Sequence, residues 1–370
     1  MSHILVGTRK GLFTVTHERG KWLLSGDAFV GVPVSLVFQQ PATGDLHAAL
    51  DHGHFGVKLH RSVDGGRTWE ERAVPTYPPK PEGCEDVDPF RNEPIPWSLK
   101  LVWSMAGGHL DAPATLWCGT IPGGLFRSED NGDSWGIVAS LWMHPSRRKW
   151  FGGGADFPGI HSLLVDPRDP RHVTAAVSCG GVWTTFDDGG SWECRGEGMI
   201  AEYLPPDQSR DPEVQDPHRV VQCRAQPDVL WAQHHNGIFR SADAGHHWRQ
   251  MANVAPSAFG FAVAVHPKDP DTAWFIPAAK DEERCPVGGA LVVTRTSNGG
   301  RSFEILRRGL PQERTYDIVF RHALDVDDTG NRLAFGSTTG SLWISEDAGD
   351  HWQHISAHLP PVYCVAFVEP

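Results

Sequence analysis

The chain of 370 residues contains 40 glycines, 29 prolines and 15 tryptophans. Glycine and proline together amount to about 19% of the residues, which is typical of a chain with many turns but stays below the ~25–30% of low-complexity sequences, so a helical bundle, a coiled coil and a disordered chain are excluded. The net charge of −12, with no long run of like charges, argues against a nucleic acid or an anionic membrane as a partner.

The first predicted elements are three short strands near the start of the chain. They cover Ile4–Gly7, Gly11–Val15 and Trp22–Leu24, with a turn over residues 16–20. Apolar and β-branched residues fill these runs and turn residues separate them, as in antiparallel strands.

A short motif of the form S/T-x-D/N-x-G-x-x-aromatic then recurs six times. Its copies are Ser62–Trp69, Ser128–Trp135, Thr185–Trp192, Ser241–Trp248, Thr296–Phe303 and Ser345–Trp352. The Asp or Asn can bond backbone N–H groups two residues on, and the Gly tolerates a positive φ, so each copy favours a tight turn. An apolar strand precedes the motif and the aromatic residue begins the next strand, so we interpret each copy as the turn of a hairpin.

Two further strand-like runs precede each hairpin, which gives units of four antiparallel strands about every 53 residues, a spacing typical of β-propeller blades. The seven predicted innermost strands are Val34–Phe38, Ser98–Trp103, Ile160–Val165, Arg219–Cys223, Phe259–Val265, Tyr316–Phe320 and Tyr363–Phe367. Because no strand follows the last one, we expect it to complete the blade begun by the N-terminal strands and to close the ring. The sequence therefore predicts an all-β fold, a single seven-bladed β-propeller domain of four-stranded antiparallel blades over residues 1–370.

The six motifs match the Asp-box, or bacterial neuraminidase repeat, and the chain resembles the sialidase-like Asp-box β-propellers over nearly its whole length. The segment Gly7–Phe13 is similar to the start of bacterial proteins that carry the label exo-sialidase or glycosyl hydrolase by similarity. The resemblance implies that the motif turns are structural and lie away from the active face. It implies a hydrolase only loosely, because a fold does not determine an activity.

The loops on the face opposite the motif turns are the expected place for chemistry. The candidate catalytic residues there are His161, His218, His234, His235, Glu202 and Tyr316, and the candidate substrate-binding residues are Arg219, Asn236, Asp51, His54, Lys280, Arg284 and Trp150. Imidazoles exchange protons near neutral pH, so a His-rich pocket favours acid–base catalysis. The same four histidines are also candidate ligands of a divalent metal, a cofactor that the sequence leaves open.

The sequence favours a hydrolase or lyase, glycosidase-like, that acts on a small-molecule or carbohydrate ligand. The resemblance implies an arginine clamp (candidates Arg9, Arg219 and Arg284), a Tyr316 nucleophile supported by Glu202, and Asp51 as the acid. Lys10 and Gly11 follow Arg9 where a sialidase has Ile-Pro, so we do not expect true sialidase activity. The alternatives are a non-catalytic binding or scaffolding propeller and a metal-dependent enzyme that uses the histidines.

The seven cysteines are scattered, odd in number and without a CxxC pair, which argues against a disulfide framework and favours reduced thiols in the cytoplasm. Residues 1–6 lack the pattern of a signal peptide, and no apolar stretch is long enough to span a membrane. We therefore expect a cytoplasmic protein without a membrane partner, and the sequence leaves its oligomeric state open.

Overall fold

The chain folds into seven four-stranded antiparallel sheets, as the sequence predicts, in a computed structural model that describes residues 3–369. Blade 1 starts with β1 (His3–Thr8), β2 (Gly11–Glu18) and β3 (Lys21–Ala28). Blade 2 consists of β4 (Val34–Gln39), β5 (Leu46–Asp51), β6 (Val57–Ser62) and β7 (Glu70–Arg72). Blade 3 consists of β8 (Leu101–Gly107), β9 (Leu116–Ile121), β10 (Leu125–Ser128) and β11 (Gly136–Ile137). Blade 4 consists of β12 (Ile160–Asp166), β13 (Asp169–Val177), β14 (Gly181–Thr185) and β15 (Glu193–Cys194).

The second half of the chain repeats the same order of strands. Blade 5 consists of β16 (Pro217–Gln222), β17 (Leu230–His234), β18 (Gly237–Ser241) and β19 (Arg249–Gln250). Blade 6 consists of β20 (Gly260–Val265), β21 (Thr272–Pro277), β22 (Val293–Ser297) and β23 (Glu304–Leu306). Blade 7 consists of β24 (Leu324–Val326), β25 (Leu333–Gly336), β26 (Leu342–Ser345) and β27 (Gln353–Ser356). The last strand, β28 (Val362–Val368), pairs with β1 and closes the ring, which confirms the seven-bladed β-propeller.

Helical structure in the described residues is confined to short connections between strands. A single α-helical turn, α1 (Ala139–Trp142), follows β11, and four 3₁₀ turns lie at Gly53–Phe55, Pro145–Lys149, Pro212–Val214 and Val287–Gly289. No helix among residues 3–369 has the length and apolar character needed to cross a membrane. All seven cysteines are free thiols.

The innermost strand of blade 7 is not the predicted run Tyr316–Phe320 but β24, further along the chain. Ile318 instead exchanges hydrogen bonds with Thr338, whose N–H donates to the Ile318 carbonyl at 2.9 Å. The Asp317 carboxylate accepts a hydrogen bond from Ser337 Oγ at 2.6 Å. These contacts hold residues 316–320 as an extended loop against the turn that follows β25. Residues 324–326 form the strand that pairs with β25.

Every copy of the motif connects the third and fourth strands of a blade, as predicted. In blade 4, Asp187 accepts hydrogen bonds from the hydroxyl and the N–H of Ser191 and from the Thr185 hydroxyl, at 2.7–2.8 Å. These donors lower the pKa of Asp187 to about 2, the Ser191 hydroxyl contributing most. Gly189 has a φ of 87° and donates its N–H to Thr185 Oγ1, so the motif residues satisfy one another within the turn.

Burial of the aromatic residue that ends each motif copy differs between blades. Trp192, Trp248 and Trp352 are buried, as expected. Trp69, Trp135 and Phe303 are only half-buried, so the contribution of this aromatic to the core is unequal among the blades.

The chain divides into two compact units, which we describe separately. In the described range, unit 1 comprises residues 3–37, 218–244 and 249–369 and contains blades 1, 5, 6 and 7, whereas unit 2 comprises residues 38–217 and 245–248 and contains blades 2 to 4. The largest core cluster of unit 1 is built around Trp274, Phe335 and Trp343. The largest core cluster of unit 2 contains Trp117, Trp150, Trp183 and Trp192.

Buried His47 on β5 of unit 2 should make folding sensitive to mildly acidic pH. Burial lowers its pKa from 6.5 to about 4; Asp45 opposes the shift, and Arg61 and Arg72 add to it. Between these two pH values the unfolded chain binds a proton that the folded chain does not, so stability present above pH 6.5 is lost as the pH falls towards 4. We expect the loss to be on the order of 3 kcal/mol, measured as the free energy of unfolding against pH.

A His47→Leu variant should flatten this pH dependence, and comparison with the wild type cancels the contributions of the other titrating groups. His60→Leu on the neighbouring strand is the matched control, since His60 is only half-buried, and it should have a smaller effect. An unchanged slope between pH 6.5 and 4 in His47→Leu would show that His47 is not the group responsible.

Candidate functional site

Four aromatic rings meet in unit 1 where the innermost strands of blades 5 and 6 begin. We call this group, His218, His235, Phe259 and Phe261, the imidazole–phenyl cluster. His218 is the second residue of β16 and Phe261 the second residue of β20, whereas His235 directly follows β17. The two phenylalanines belong to a small apolar core with Ala278 and Ile318, against which Phe320 packs. The cluster therefore lies on the loop edge of these blades, where the sequence predicts a site.

The imidazole of His218 is fixed in position and in tautomer. It is buried, and its Nδ1 lies 2.6 Å from the carbonyl oxygen of Gly260. Its ring stacks on Phe261 with a centroid distance of 4.6 Å and an interplanar angle of 14°. A carbonyl oxygen can only accept, so Nδ1 carries the hydrogen, and in the neutral ring the lone pair is on Nε2.

The start of β20 is locally irregular where it meets the imidazole of His218. Gly260 pairs with Pro277 on β21. The register of β20 and β21 then shifts between Gly260 and Val263, which interrupts the regular bonding at the start of the strand. Glycine is needed because a Cβ at residue 260 would lie 2.7 Å from the Ile276 carbonyl oxygen.

His235 is the member of the pair that keeps accessible surface, since its side chain is half-buried. Its ring lies edge-on to His218 with a centroid distance of 5.4 Å, and edge-on to Phe259 at 5.7 Å. A ring nitrogen of His235 lies within 4.8 Å of one of His218. Two imidazoles this close can transfer a proton from one ring to the other through an intervening water, or they can bind the same metal ion.

Two guanidinium groups flank the phenyl ring of Phe261. Arg284 and Arg321 each place Cζ 5.4 Å from the ring centroid, a distance suited to a cation–π contact. Arg321 is buried, whereas Arg284 is 47% exposed and pairs with Asp281 at 2.5 Å. Arg284 is the more exposed of the two guanidinium groups, so it is the one that a polar or anionic ligand could reach.

Arg219 interacts electrostatically with Asp325 of β24, so its charge is already partnered. Burial lowers the pKa of Arg219 to about 10, Asp325 opposes that shift, and Arg321 adds to it. Burial raises the pKa of Asp325 to about 6, opposed by the N–H of Phe367, which donates to its carboxylate at 2.8 Å. Both side chains keep some accessible surface, and the pair forms a charged layer on the innermost strands of unit 1.

His234 and Asn236 shape the turn between β17 and β18. His234 is fully buried, its Nδ1 accepts the N–H of Asn236 at 3.0 Å, and its ring lies edge-on to Phe239. The carbonyl of Asn236 accepts a hydrogen bond from Gln250 Nε2 at 2.9 Å. Both contacts are internal to blade 5 and give the two residues a structural role in the turn, and the catalytic and substrate-binding roles expected from the sequence stay predictions.

The two aromatic candidates, Trp150 and Tyr316, differ in exposure. Trp150 is fully buried in the core of unit 2, tilted against Trp183 at 5.7 Å, and has no surface to offer a ligand. Tyr316 lies outside any strand and is 68% exposed, so it does not form the expected strand-borne nucleophile.

The other candidates occupy separate positions. In unit 2, His161 is buried on β12 with Nδ1 2.9 Å from Ser162 Oγ. Asp51 is exposed at the end of β5, His54 is exposed in the 3₁₀ turn that follows it, and Glu202 is exposed on a loop. In unit 1, Lys280 is exposed, with its nearest carboxylate, that of Glu282, at 4.0 Å. Of the candidates in unit 1, the structure brings together His218, His235 and Arg284.

Sequence reasoning missed Arg321 and the carbonyl of Gly260. Arg321 follows the misassigned run Tyr316–Phe320, and nothing in its local sequence distinguishes it from a surface arginine. One feature of the sequence could have indicated the role of Gly260. A glycine between Phe259 and Phe261 at the start of a strand is typical of a bulge or of a close approach to the backbone.

No family model and no curated protein sequence matches this chain. Solved structures match in fold. An ancestral GH74 enzyme has a TM-score of 0.59 and 14% identity over 90% of this chain and 38% of that one. The periplasmic gluconolactonase PpgL of Pseudomonas aeruginosa has a TM-score of 0.59 and 12% identity over 100% and 99% of the chains. YCF48 from Cyanidioschyzon merolae has a TM-score of 0.55 and 14% identity over 89% and 87%.

These matches show the propeller fold and nothing more specific, because the identities are low. The chain spans about two fifths of the length of the ancestral GH74 enzyme. No comparison supplies evidence for a sialidase family, so the Asp-box resemblance stays an interpretation of the repeated motif.

Substitution of the two adjacent histidines of blade 5, His234 and His235, should lower the free energy of unfolding by different amounts. His234→Ala takes away a buried ring and the acceptor of the Asn236 N–H, so we expect a loss of about 1–3 kcal/mol in the free energy of unfolding. His235→Ala removes a ring that is only half-buried and should cost less than about 1 kcal/mol. Urea denaturation measures both, and equal losses would contradict the separation of structural and ligand-facing roles.

Proposed function

We propose that the protein is a hydrolase or lyase that acts on a small-molecule or carbohydrate ligand at the imidazole–phenyl cluster. His235 is the acid–base group that meets the ligand, and His218 is the positioning residue behind it. The observation that carries the proposal is the 2.6 Å contact between His218 Nδ1 and the Gly260 carbonyl, which gives one imidazole a defined tautomer beside a second, accessible one.

A fixed tautomer matters because proton transfer needs a donor and an acceptor at known atoms. With the hydrogen of His218 held on Nδ1, its other nitrogen accepts a proton in the neutral ring, and the stack on Phe261 prevents the ring from turning. A ring nitrogen of His235 lies within 4.8 Å of a ring nitrogen of His218, so a proton taken from a ligand can be passed between the two rings through one water and returned. A histidine pair of this kind works near neutral pH.

The surroundings of the pair favour a polar ligand with an anionic group. Arg284 supplies a partly exposed guanidinium, which is paired with Asp281, and the buried rings of Phe259 and Phe261 pack against the two histidines. Guanidinium groups bind carboxylates and phosphates bidentately, whereas the rings exclude water from the reacting groups.

The cluster does not resemble the carboxylate pair of most glycosidases. Such enzymes place two carboxylic acids on either side of the scissile bond. The Asp281 carboxylate is paired with Arg284, and the Asp317 carboxylate accepts hydrogen bonds from the Ser337 and Thr339 hydroxyls. The predicted sialidase nucleophile Tyr316 is exposed on a loop, and Arg219 faces Asp325. We therefore expect the protein to hydrolyse lactones or esters, or to catalyse an elimination on an anionic sugar, rather than to cleave sialosides.

A screen of sugar lactones, p-nitrophenyl esters, unsaturated uronides and 4-methylumbelliferyl sialic acid tests this function. For any substrate turned over, His235→Ala should lower kcat/KM about 10²–10⁴-fold, because an acid–base group is removed. His218→Ala should lower kcat and displace the pH profile, since its role acts through His235.

His246→Ala provides the matched control, an exposed histidine in a motif turn, and it should leave the activity unchanged. Full activity in both His218→Ala and His235→Ala would place the active site elsewhere. Specific turnover of the sialic acid substrate would overturn the exclusion of sialidase chemistry. No turnover of any substrate would favour the alternative of a binding or scaffolding propeller.

Metal-dependent catalysis at the same histidines is a second candidate, favoured by one specific observation. Metal-ligating histidines commonly donate their other ring N–H to a backbone carbonyl, and His218 has this arrangement with Gly260. We expect metal analysis of protein dialysed against zinc to show one ion per chain, lost in His218→Ala and His235→Ala and kept in His246→Ala. Wild-type protein that retains no metal would rule this candidate out.

A further inference from the structure

A cavity lies in unit 2, at the motif-turn edge of blades 3 and 4. It has a volume of about 520 Å³ and runs between the third-strand end of blade 3, strand β11 and the motif turn of blade 4. This volume falls within the ~300–1,000 Å³ range of small-molecule sites. We call it the repeat-turn groove and define it by Arg127, Glu129, Ile137, Val138, Ser140 and Asp188.

A guanidinium held by two carboxylates forms the polar side of the groove. Arg127 contacts Glu129 at 2.6 Å and Asp188 at 2.9 Å, and its Cζ lies 5.5 Å from the Trp117 ring centroid. These contacts order the three charged groups before any ligand arrives. The net charge of these three groups is −1, so binding of an anionic ligand is disfavoured.

The carboxylates keep acceptor capacity for a ligand. An ionised carboxylate accepts about four hydrogen bonds, more than Arg127 can supply to either one. The side chain of Glu129 is 74% exposed and that of Asp188 is 37% exposed. Both therefore offer oxygens to hydroxyl donors.

Aliphatic side chains and backbone form the rest of the groove. Ile137 and Val138 line it, and Gly190 exposes backbone at the motif turn. Ser140 Oγ donates to the Gly189 carbonyl, which joins α1 to that turn. A ligand that fits must combine hydroxyl donors with a C–H surface, which is the chemistry of a sugar ring.

We propose that the repeat-turn groove binds an uncharged sugar or short oligosaccharide. Vicinal hydroxyls of the sugar donate to Glu129 and Asp188, and its C–H face packs on Ile137 and Val138. This site is independent of the imidazole–phenyl cluster and of the reaction proposed there. Because its apolar side is aliphatic, we expect weak, millimolar binding.

Ligand-observed saturation-transfer NMR with maltose, cellobiose and xylobiose tests the proposal, with glucuronate as the anionic control. At least one neutral disaccharide should bind saturably and more tightly than glucuronate. Glu129→Ala and Asp188→Asn should each weaken that binding at least about fivefold, the loss expected when a buried or partly buried hydrogen bond is removed. Asparagine tolerates the φ of 59° at residue 188, so Asp188→Asn should fold.

Glu346→Ala is the matched control, because Glu346 occupies in blade 7 the motif position that Glu129 occupies in blade 3. It should leave sugar binding unchanged. The proposal is overturned if no neutral disaccharide saturates, if glucuronate binds as well as the sugars, or if Glu129→Ala has no effect. Loss of binding in His235→Ala with full binding in Glu129→Ala would place the sugar at the imidazole–phenyl cluster instead.

Discussion

The ladder between β1 and β28 is the constraint on which the fold depends. It joins residues 3–8 to residues 362–368 with a continuous antiparallel register apart from a shift at Thr8. Bringing the ends of an unstructured chain of this length together costs about 5 kcal/mol of loop-closure entropy, so the contact is favourable only once the intervening blades are formed. Gly7 allows the close approach, because a Cβ there would lie 2.4 Å from Cys364 Sγ. Without this ladder, blade 1 would lack its innermost strand and present an open edge.

Repetition of short blades explains why the sequence predicts the fold so well. Each motif turn is made by its own residues, as Thr185, Asp187 and Ser191 show, so the signal is local and survives in a single sequence. The C-terminal strand was predictable as well, because counting strands leaves one without partners. The exception is Tyr316–Phe320, whose apolar pattern is that of a strand. Its partners are the Ser337–Thr339 turn, and only the three-dimensional contacts reveal that choice.

The candidate site was predictable only in part, for a different physical reason. The loop edge and the histidines of blade 5 follow from counting strands, but the roles of His234 and His235 depend on which way each ring points. A turn buries one ring and leaves its neighbour accessible. The contact that fixes His218 joins it to the carbonyl of Gly260, 42 residues further along the chain, so neither segment reveals it alone. Trp150 failed as a ligand residue because an aromatic in a long loop reads the same whether it faces solvent or the core.

The same reasoning shows why the motif turns need not be functionally equivalent. Glu129 and Glu346 occupy identical motif positions, yet their neighbours differ. Glu129 shares Arg127 with Asp188 of the following motif turn, whereas Glu346 lies 3.8 Å from Arg332 and 3.9 Å from His17. The turn fixes the backbone in both cases, and the adjacent blade decides what the side chain faces. In a repeat fold, binding properties therefore arise at the residues that vary between blades, and the residues that recur mainly hold those variable positions in place.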